Sequence, residues 1–202
     1  MSTYGDMQSR IADDLHRTDQ TTQIRTAIQN AVRRYERERF WFNEARATAS
    51  TTDGTSTYAV PTDYMSGLRL EITVNSSTYP LTLRSIDYID SVDVSGTEGQ
   101  PNDYAILAEE FRLYPVPDSS SYTLTLTYNK SLGSLSATTD TNAWMVEAED
   151  LIRHEAEAEV NEQLGYSDLA DRCYMLAERA LKNLREHTGR YIGSGNIMPS
   201  YW

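Results

Sequence analysis

The segment Asn142–Arg190 permits little other than a pair of helices. Apolar residues recur at helical spacing on both sides of Gly165-Tyr166-Ser167-Asp168, where a glycine suited to ending one helix is followed by a serine suited to capping the next. The spacing predicts a first helix from about Ala143 to Leu164, dense in carboxylates. It predicts a second running to about His187, with Leu169, Cys173, Leu176, Ala180 and Leu184 on its apolar side. Arg179, Lys182, Arg185 and His187 gather toward the end of the second, where they suit the helix dipole. Two such helices need a partner for their apolar stripes. The N-terminus supplies one. Met7, Ile11 and Leu15 predict a short helix over Tyr4–Arg17, and Ile24, Ala27, Ile28, Ala31, Val32 and Tyr35 a second over about Thr21–Arg39.

Between the two pairs the period changes to two. Ala45, Ala47 and Ala49 alternate with polar residues, Asp53-Gly54 signals a turn, and Thr57–Val60 reads as the returning strand. Leu68, Leu70, Ile72 and Val74 make the clearest strand, turned at Asn75-Ser76-Ser77. Ser85 opens a short helix, Tyr104–Leu107 and Phe111–Tyr114 form a hairpin, and Tyr122, Leu124, Leu126 and Tyr128 share one face of a last strand. The fold class that follows is α+β. Residues 1–42 and 142–188 form a helical bundle, 43–141 an antiparallel β-rich insertion, and 189–202 a flexible tail. The tail has no helical period yet carries Tyr191, Ile192, Ile197, Met198, Tyr201 and Trp202, which suits a segment that orders on a partner.

Composition removes several classes. A formal net charge of −12 argues against a protein that wraps DNA in a basic groove, but suits a conduit that lets DNA pass. One cysteine, Cys173, gives neither an internal disulfide nor a cysteine zinc cluster. No apolar run is long enough to span a bilayer, and no secretory signal opens the chain. Phosphate-binding loops, nucleophile elbows and zinc-helix motifs are missing. His16, His154 and His187 fall at polar helical positions expected to face solvent, and no cofactor is expected. The carboxylates Glu147, Asp150, Glu155, Glu157, Glu159 and Glu162 read as a solvated, field-setting face. Arg33, Arg34, Arg37 and Arg39 cluster between the second helix and the first strand, where the readings are a DNA-contact patch or, favoured by the acid excess, pairing with acids of the same or a neighbouring chain.

The order of these segments resembles a known family. Its carriers are the N-terminal stretch MSTYGDMQSRIADDLHRTDQTTQIRTAIQNAVRRYERERFWFNEARATAS, then TYAVPTDYMSGLRL, DYAILAEEFRLYPVPDSSSYTLTLTY and TNAWMVEAEDLIRHEAEAE. Together they resemble the head-to-tail adaptors of tailed phages, chiefly short-tailed ones, also called tail tubular protein A or portal adaptors. The resemblance implies a homo-oligomeric ring, usually twelve-fold, docked beneath the portal protein in the neck of the virion and assembled in the host cytoplasm. It implies that the helical part builds the ring wall, that the β-rich insertion receives the nozzle or tail fibres, and that the C-terminal segment reaches the portal. It carries over no catalytic residue and no membrane contact.

On this reading Glu147, Asp150, Glu155, Glu157, Glu159 and Glu162 line a lumen through which genomic DNA passes without specific binding, along a helix of roughly 33 Å. Arg190, Tyr191, Ile192, Ile197, Met198, Tyr201 and Trp202 are the portal-docking candidates. Arg33, Arg37, Arg39 and Trp41 are candidates for the subunit interface. The competing reading is a tail-associated module that recognises a receptor or carbohydrate through Trp41, Tyr58 or Tyr104. A third is an enzyme using Glu155 and Glu159 with a divalent metal.

Overall fold

Helices occupy both ends of the chain and strands its middle. The computed structural model describes residues 2–93 and 96–193, the side chain of Ile192 excepted. In chain order the elements are α1 (Tyr4–Asp14), α2 (Thr21–Tyr35), β1 (Glu44–Ser50), β2 (Thr57–Ala59), β3 (Tyr64–Val74), β4 (Ser77–Pro80) and β5 (Thr82–Leu83). There follow α3 (Ile86–Val92), β6 (Asp103–Leu107), β7 (Glu110–Tyr114), β8 (Thr123–Lys130), α4 (Ala143–Val146), α5 (Glu149–Gln163) and α6 (Ser167–Ile192). They divide into two compact units. A helical unit takes the chain up to Asn43 and from Ser131 on, and a β unit takes Glu44–Lys130.

In the helical unit, α1 starts on a reciprocal cap. The Thr3 hydroxyl accepts from the Asp6 N–H at 3.1 Å, and the Thr3 N–H donates to the Asp6 carboxylate at 2.9 Å. Its apolar stripe, Met7 and Ile11, joins Ile24, Ala27, Ile28 and Ala31 of α2 in one core with Trp144, Met145, Leu151, Ile152 and Val160. Phe40 and Phe42 stack at 5.2 Å, and both meet Trp144 edge-on, at 5.7 and 5.2 Å, the geometry that the ring quadrupoles favour.

The 131–141 loop, expected to close the β-rich insertion, belongs to this helical unit instead. Leu135 is buried in the helical core. The backbone N–H groups of Tyr4 and Gly5 donate to Asp140 and Thr138 at 2.8 Å, satisfying donors that the first turn of α1 leaves open. Gly5 is required there, since a Cβ would lie 2.9 Å from the Thr138 carbonyl oxygen.

Five helix boundaries differ from expectation, and two of them are early ends, α1 at Asp14 rather than Arg17 and α2 at Tyr35 rather than about Arg39. The acidic helix is not continuous: Asn142 caps a single turn, α4, by accepting from the Trp144 N–H at 3.0 Å, and the chain leaves helical geometry at Ala148 before α5 begins. Gly165, at φ 82°, reverses the chain after α5, and Ser167 is the first residue of α6 rather than its cap. Helix α6 also runs past His187 to Ile192, so Arg190 and Tyr191 sit on its last turn rather than in a tail. Tyr191 stacks on Trp41 at 6.1 Å and lies 5.4 Å from His187, which anchors that turn.

The β unit holds two four-stranded sheets, ordered β1-β8-β3-β4 and β2-β7-β6-β5. All pairings are antiparallel except β5 with β6. Thr57–Ala59 does not return against β1: Asp53-Gly54 carries the chain into the other sheet, where β2 pairs with β7. Inward side chains from both sheets, among them Leu70, Ile72, Phe111, Leu113, Leu124, Leu126 and Tyr128, form one core.

Candidate functional site

Helix α5 is the axis of the helical unit and packs against α6, α2 and α1. Ala148, Ala156 and Ala158 let neighbouring backbones approach closely, so nearly the whole circumference of α5 is covered. This corrects the expectation for two of the six carboxylates. Glu155 and Glu157 are each 5% exposed and serve the interior, where they cannot face a lumen.

Glu155 takes the Arg34 guanidinium in a close ion pair and accepts from the Tyr35 hydroxyl at 3.0 Å. Burial and the Glu155 charge push the Tyr35 hydroxyl up to about 12, so it stays a donor. Glu157 accepts from Arg153 Nε at 3.1 Å, from His154 Nδ1 at 3.0 Å and from the Cys173 thiol at 3.8 Å, and Arg153 also bridges to Asp14 at 3.3 Å. Burial and the neighbouring Asp14 carboxylate raise the pKa of Glu157, against the opposing pull of His154. His154 is therefore part of an internal network, not solvent-facing as expected.

The other four carboxylates differ among themselves. Glu159 is half-buried and accepts from Asn30 at 2.7 Å. Glu162 is exposed and accepts from the Tyr174 hydroxyl at 3.0 Å. Glu147 and Asp150 are exposed and make no ion pair or side-chain hydrogen bond among the described residues. They border an open hollow of about 550 Å³ between the start of α5 and the end of α6, together with Trp41, Val146, Asn183 and His187. On another side of α6, Met175, Glu178, Arg179, Lys182 and Arg185 recur at three- and four-residue spacing, an exposed helical ridge of side chains around a shallow open recess of about 430 Å³. There Arg185 is held by Glu38 at 2.5 and 3.0 Å, whereas Arg179 and Lys182 have no ion-pair partner among the described residues.

The arginine cluster splits. Arg34, not Arg33, makes the internal pair, while Arg33, Arg37 and Arg39 are exposed. Trp41 is half-buried and packed within its own chain against Phe42, His187 and Tyr191. Arg190 is exposed and Tyr191 is 70% exposed. The side chain of Ile192, and Ile197, Met198, Tyr201 and Trp202, lie outside the described residues.

The recognition reading loses its residues. Trp41 belongs to the helical unit rather than the β unit. Tyr58 spends its hydroxyl on Thr52 and Thr55 backbone groups, and Tyr104 is 8% exposed in the β core. An apolar cavity of about 200 Å³ does open beside β1 and β2, where Ala47 and Ala49 leave space against Tyr58, Val60 and Phe111.

Nucleophilic chemistry at Cys173 runs against its surroundings. Burial and the Glu157 carboxylate raise the thiol's pKa, the reverse of what an attacking thiolate needs. Among the described residues no group of three or more His, Cys, Asp or Glu is arranged to hold a metal ion, and no helix is long and apolar enough to cross a membrane.

Sequence reasoning anticipated an acid partner for Arg34 but missed Tyr35, Asp14, Arg153 and Cys173 as neighbours of the buried acids. The available signal was the alternation of alanine with glutamate from Glu155 to Glu159, which marks a helix packed closely on more than one side.

No curated protein matches this chain. Among protein families, that described as SU10 adaptor protein matches it over residues 2–198, both units together. The chain therefore belongs to the SU10 adaptor protein family and is a phage structural adaptor.

Proposed function

We propose that the protein forms a closed ring under the phage portal, extends the DNA channel into the neck of the virion, and presents its β unit to later tail components such as a nozzle or fibres. The family match over residues 2–198 carries this reading. The helical unit supports it. Its inward acids are neutralised by Arg34 and Arg153, while Glu147, Asp150 and Glu162 remain exposed, so the fold keeps its interior balanced and its surface acidic. Repeated around a ring, surface carboxylates repel the DNA backbone and keep a passing duplex from adhering, with the formal charge of −12 per copy setting the sign.

The portal contact is assigned to the exposed Arg190 and Tyr191 on the last turn of α6 and to the segment beyond Gly193. Ring contacts draw on exposed α2 and post-α2 arginines such as Arg33 and Arg37. Negative-stain microscopy of the protein mixed with its portal tests this, using the full chain and a chain ending at Gly193, which keeps α6 intact. Rings seated on the portal with the full chain, and lost with the shorter one, are expected. Rings that survive the truncation refute the docking role of the final segment, and no association at all refutes the adaptor ring.

A further inference from the structure

Helix α6 carries more apolar surface than its own unit covers. Met175 is 65% exposed on one face of α6, and Val146, 43% exposed, borders the hollow, whereas Leu169 and Leu176, 50% and 36% exposed, lie on a different face of α6 beside another recess. Isolated exposed apolar side chains are ordinary, but Met175 and Val146 each sit beside charges that have no ion-pair partner among the described residues.

The charges around these residues are segregated. The hollow between α5 and α6 presents Glu147 and Asp150, and the ridge on α6 presents Arg179 and Lys182 beside Met175. None of these four charges is ion-paired among the described residues, although the neighbouring Arg185, Arg10 and Glu149 all are. At 3.6 residues per turn, the ridge positions 175, 179 and 182 lie roughly 120° around α6 from the hollow-facing positions 180, 183, 184 and 187. A chain cannot fold its ridge into its own hollow when both belong to one rigid helix.

We infer that the Met175–Arg179–Lys182 ridge of one copy seats in the hollow of a neighbouring copy. Met175 then packs on the apolar floor, and Arg179 and Lys182 face Glu147 and Asp150. The inference rests on the proposed ring and adds a second pair of surfaces to the ring contacts assigned to Arg33 and Arg37. The contact is heterologous: every copy offers one ridge and one hollow, and only closure into a ring leaves none unmatched. Methionine, unbranched and polarisable, fills an irregular hollow well. The arrangement gives Glu147 and Asp150 to the seam between copies and leaves the repulsion of DNA to Glu162 and the rest of the acidic surface. Nucleic acid is disfavoured as the occupant, because the hollow is acidic and the ridge includes Glu178 and an apolar centre.

The test is a charge exchange in the full chain. Glu147→Lys, Lys182→Glu and the double variant are compared with the parent by mass photometry, alone and with purified portal as a seed. Tryptophan fluorescence confirms that each is folded. The parent and the double variant should form the same ring, while each single variant weakens association by roughly tenfold per contact, because like charges then oppose each other. Met175→Ser, at an exposed position, should weaken it without altering charge. Single variants that assemble as well as the parent overturn the contact while leaving the ring in place. A double variant no better than the singles also overturns it, as does a loss confined to portal binding, which would make the portal the occupant. A parent that forms no ring, with or without portal, removes both the contact and the proposed ring.

Discussion

Replacing Arg34 should hurt the helical unit more than replacing the acid it pairs with. The Glu155 side chain is 6% accessible and that of Arg34 57%, so the pair is buried on one side only. Arg34→Ala strands a carboxylate in the interior. Breaking a fully buried pair costs about 3–5 kcal/mol. Screening of the half-exposed guanidinium, and the surviving 3.0 Å bond from Tyr35, reduce this to about 2–3 kcal/mol. Glu155→Gln leaves no buried charge, keeps an acceptor for Tyr35 and returns Arg34 to water, at a cost of about 1 kcal/mol. The double variant should also cost only about 1 kcal/mol, because the stranded charge is gone, giving a coupling of about 2 kcal/mol. At roughly 2–4 °C per kcal/mol, Arg34→Ala should lower Tm by about 5–10 °C. Urea unfolding followed by tryptophan fluorescence reads the correct unit, since Trp41 and Trp144 lie in it and the β unit contains no tryptophan. Equal losses in the two single variants, or a double variant whose loss is their sum, would refute the argument.

Three further outcomes follow from the same unit. Glu157 has a raised folded-state pKa, so folding favours its protonated form: its stabilising contribution is complete below the ordinary carboxylate value of 4.5 and is lost as pH rises through the folded value. Glu157→Gln should therefore gain stability relative to the parent from pH 4.5 toward neutrality, and urea titrations across that range that show a constant or shrinking difference count against it. Gly5→Ala should destabilise by about 1–3 kcal/mol, because the new methyl meets a backbone oxygen that cannot swing away. Gly189→Ala, with open space around its Cβ and a helical setting, should stabilise by about 0.5–1 kcal/mol, and thermal melts that rank the two substitutions the other way contradict the packing described.

The helical ends and the strands were legible because each follows from a local period. The stripe from Ile24 to Tyr35 and the alternation from Leu68 to Val74 both report which side of an element is covered. Sheet membership was not legible. Nothing in Thr57–Ala59 distinguishes pairing with β1 from pairing with β7, because the choice depends on where the chain crosses after Asp53-Gly54. The fate of the carboxylates was hidden for a related reason. Glu155 and Glu157 look like members of a solvated run until three other helices are placed around α5, and Arg34, the cationic partner of Glu155, lies 121 residues away in the sequence. Tyr191 read as part of a loose tail because Gly189 and Gly193 flank it, yet its stacking on Trp41 extends α6 to Ile192.

The pairing of Glu44 with Asn129 has a consequence for how the molecule reaches its native state. The first and last strands of the β unit, β1 and β8, are neighbours in one sheet, so once that unit folds, its entry and exit points are held together. The helical core joins residues from the two ends of the chain, and bringing them together across a loose loop of roughly ninety residues costs about 4 kcal/mol in chain entropy. A β unit folded first, while the remaining chain is still leaving the ribosome, removes most of that cost. It then acts as a clasp that presents α2 to α5 and α6 as they emerge. Mutations that loosen β1 from β8 should accordingly slow the appearance of the helical core far more than they alter its final stability.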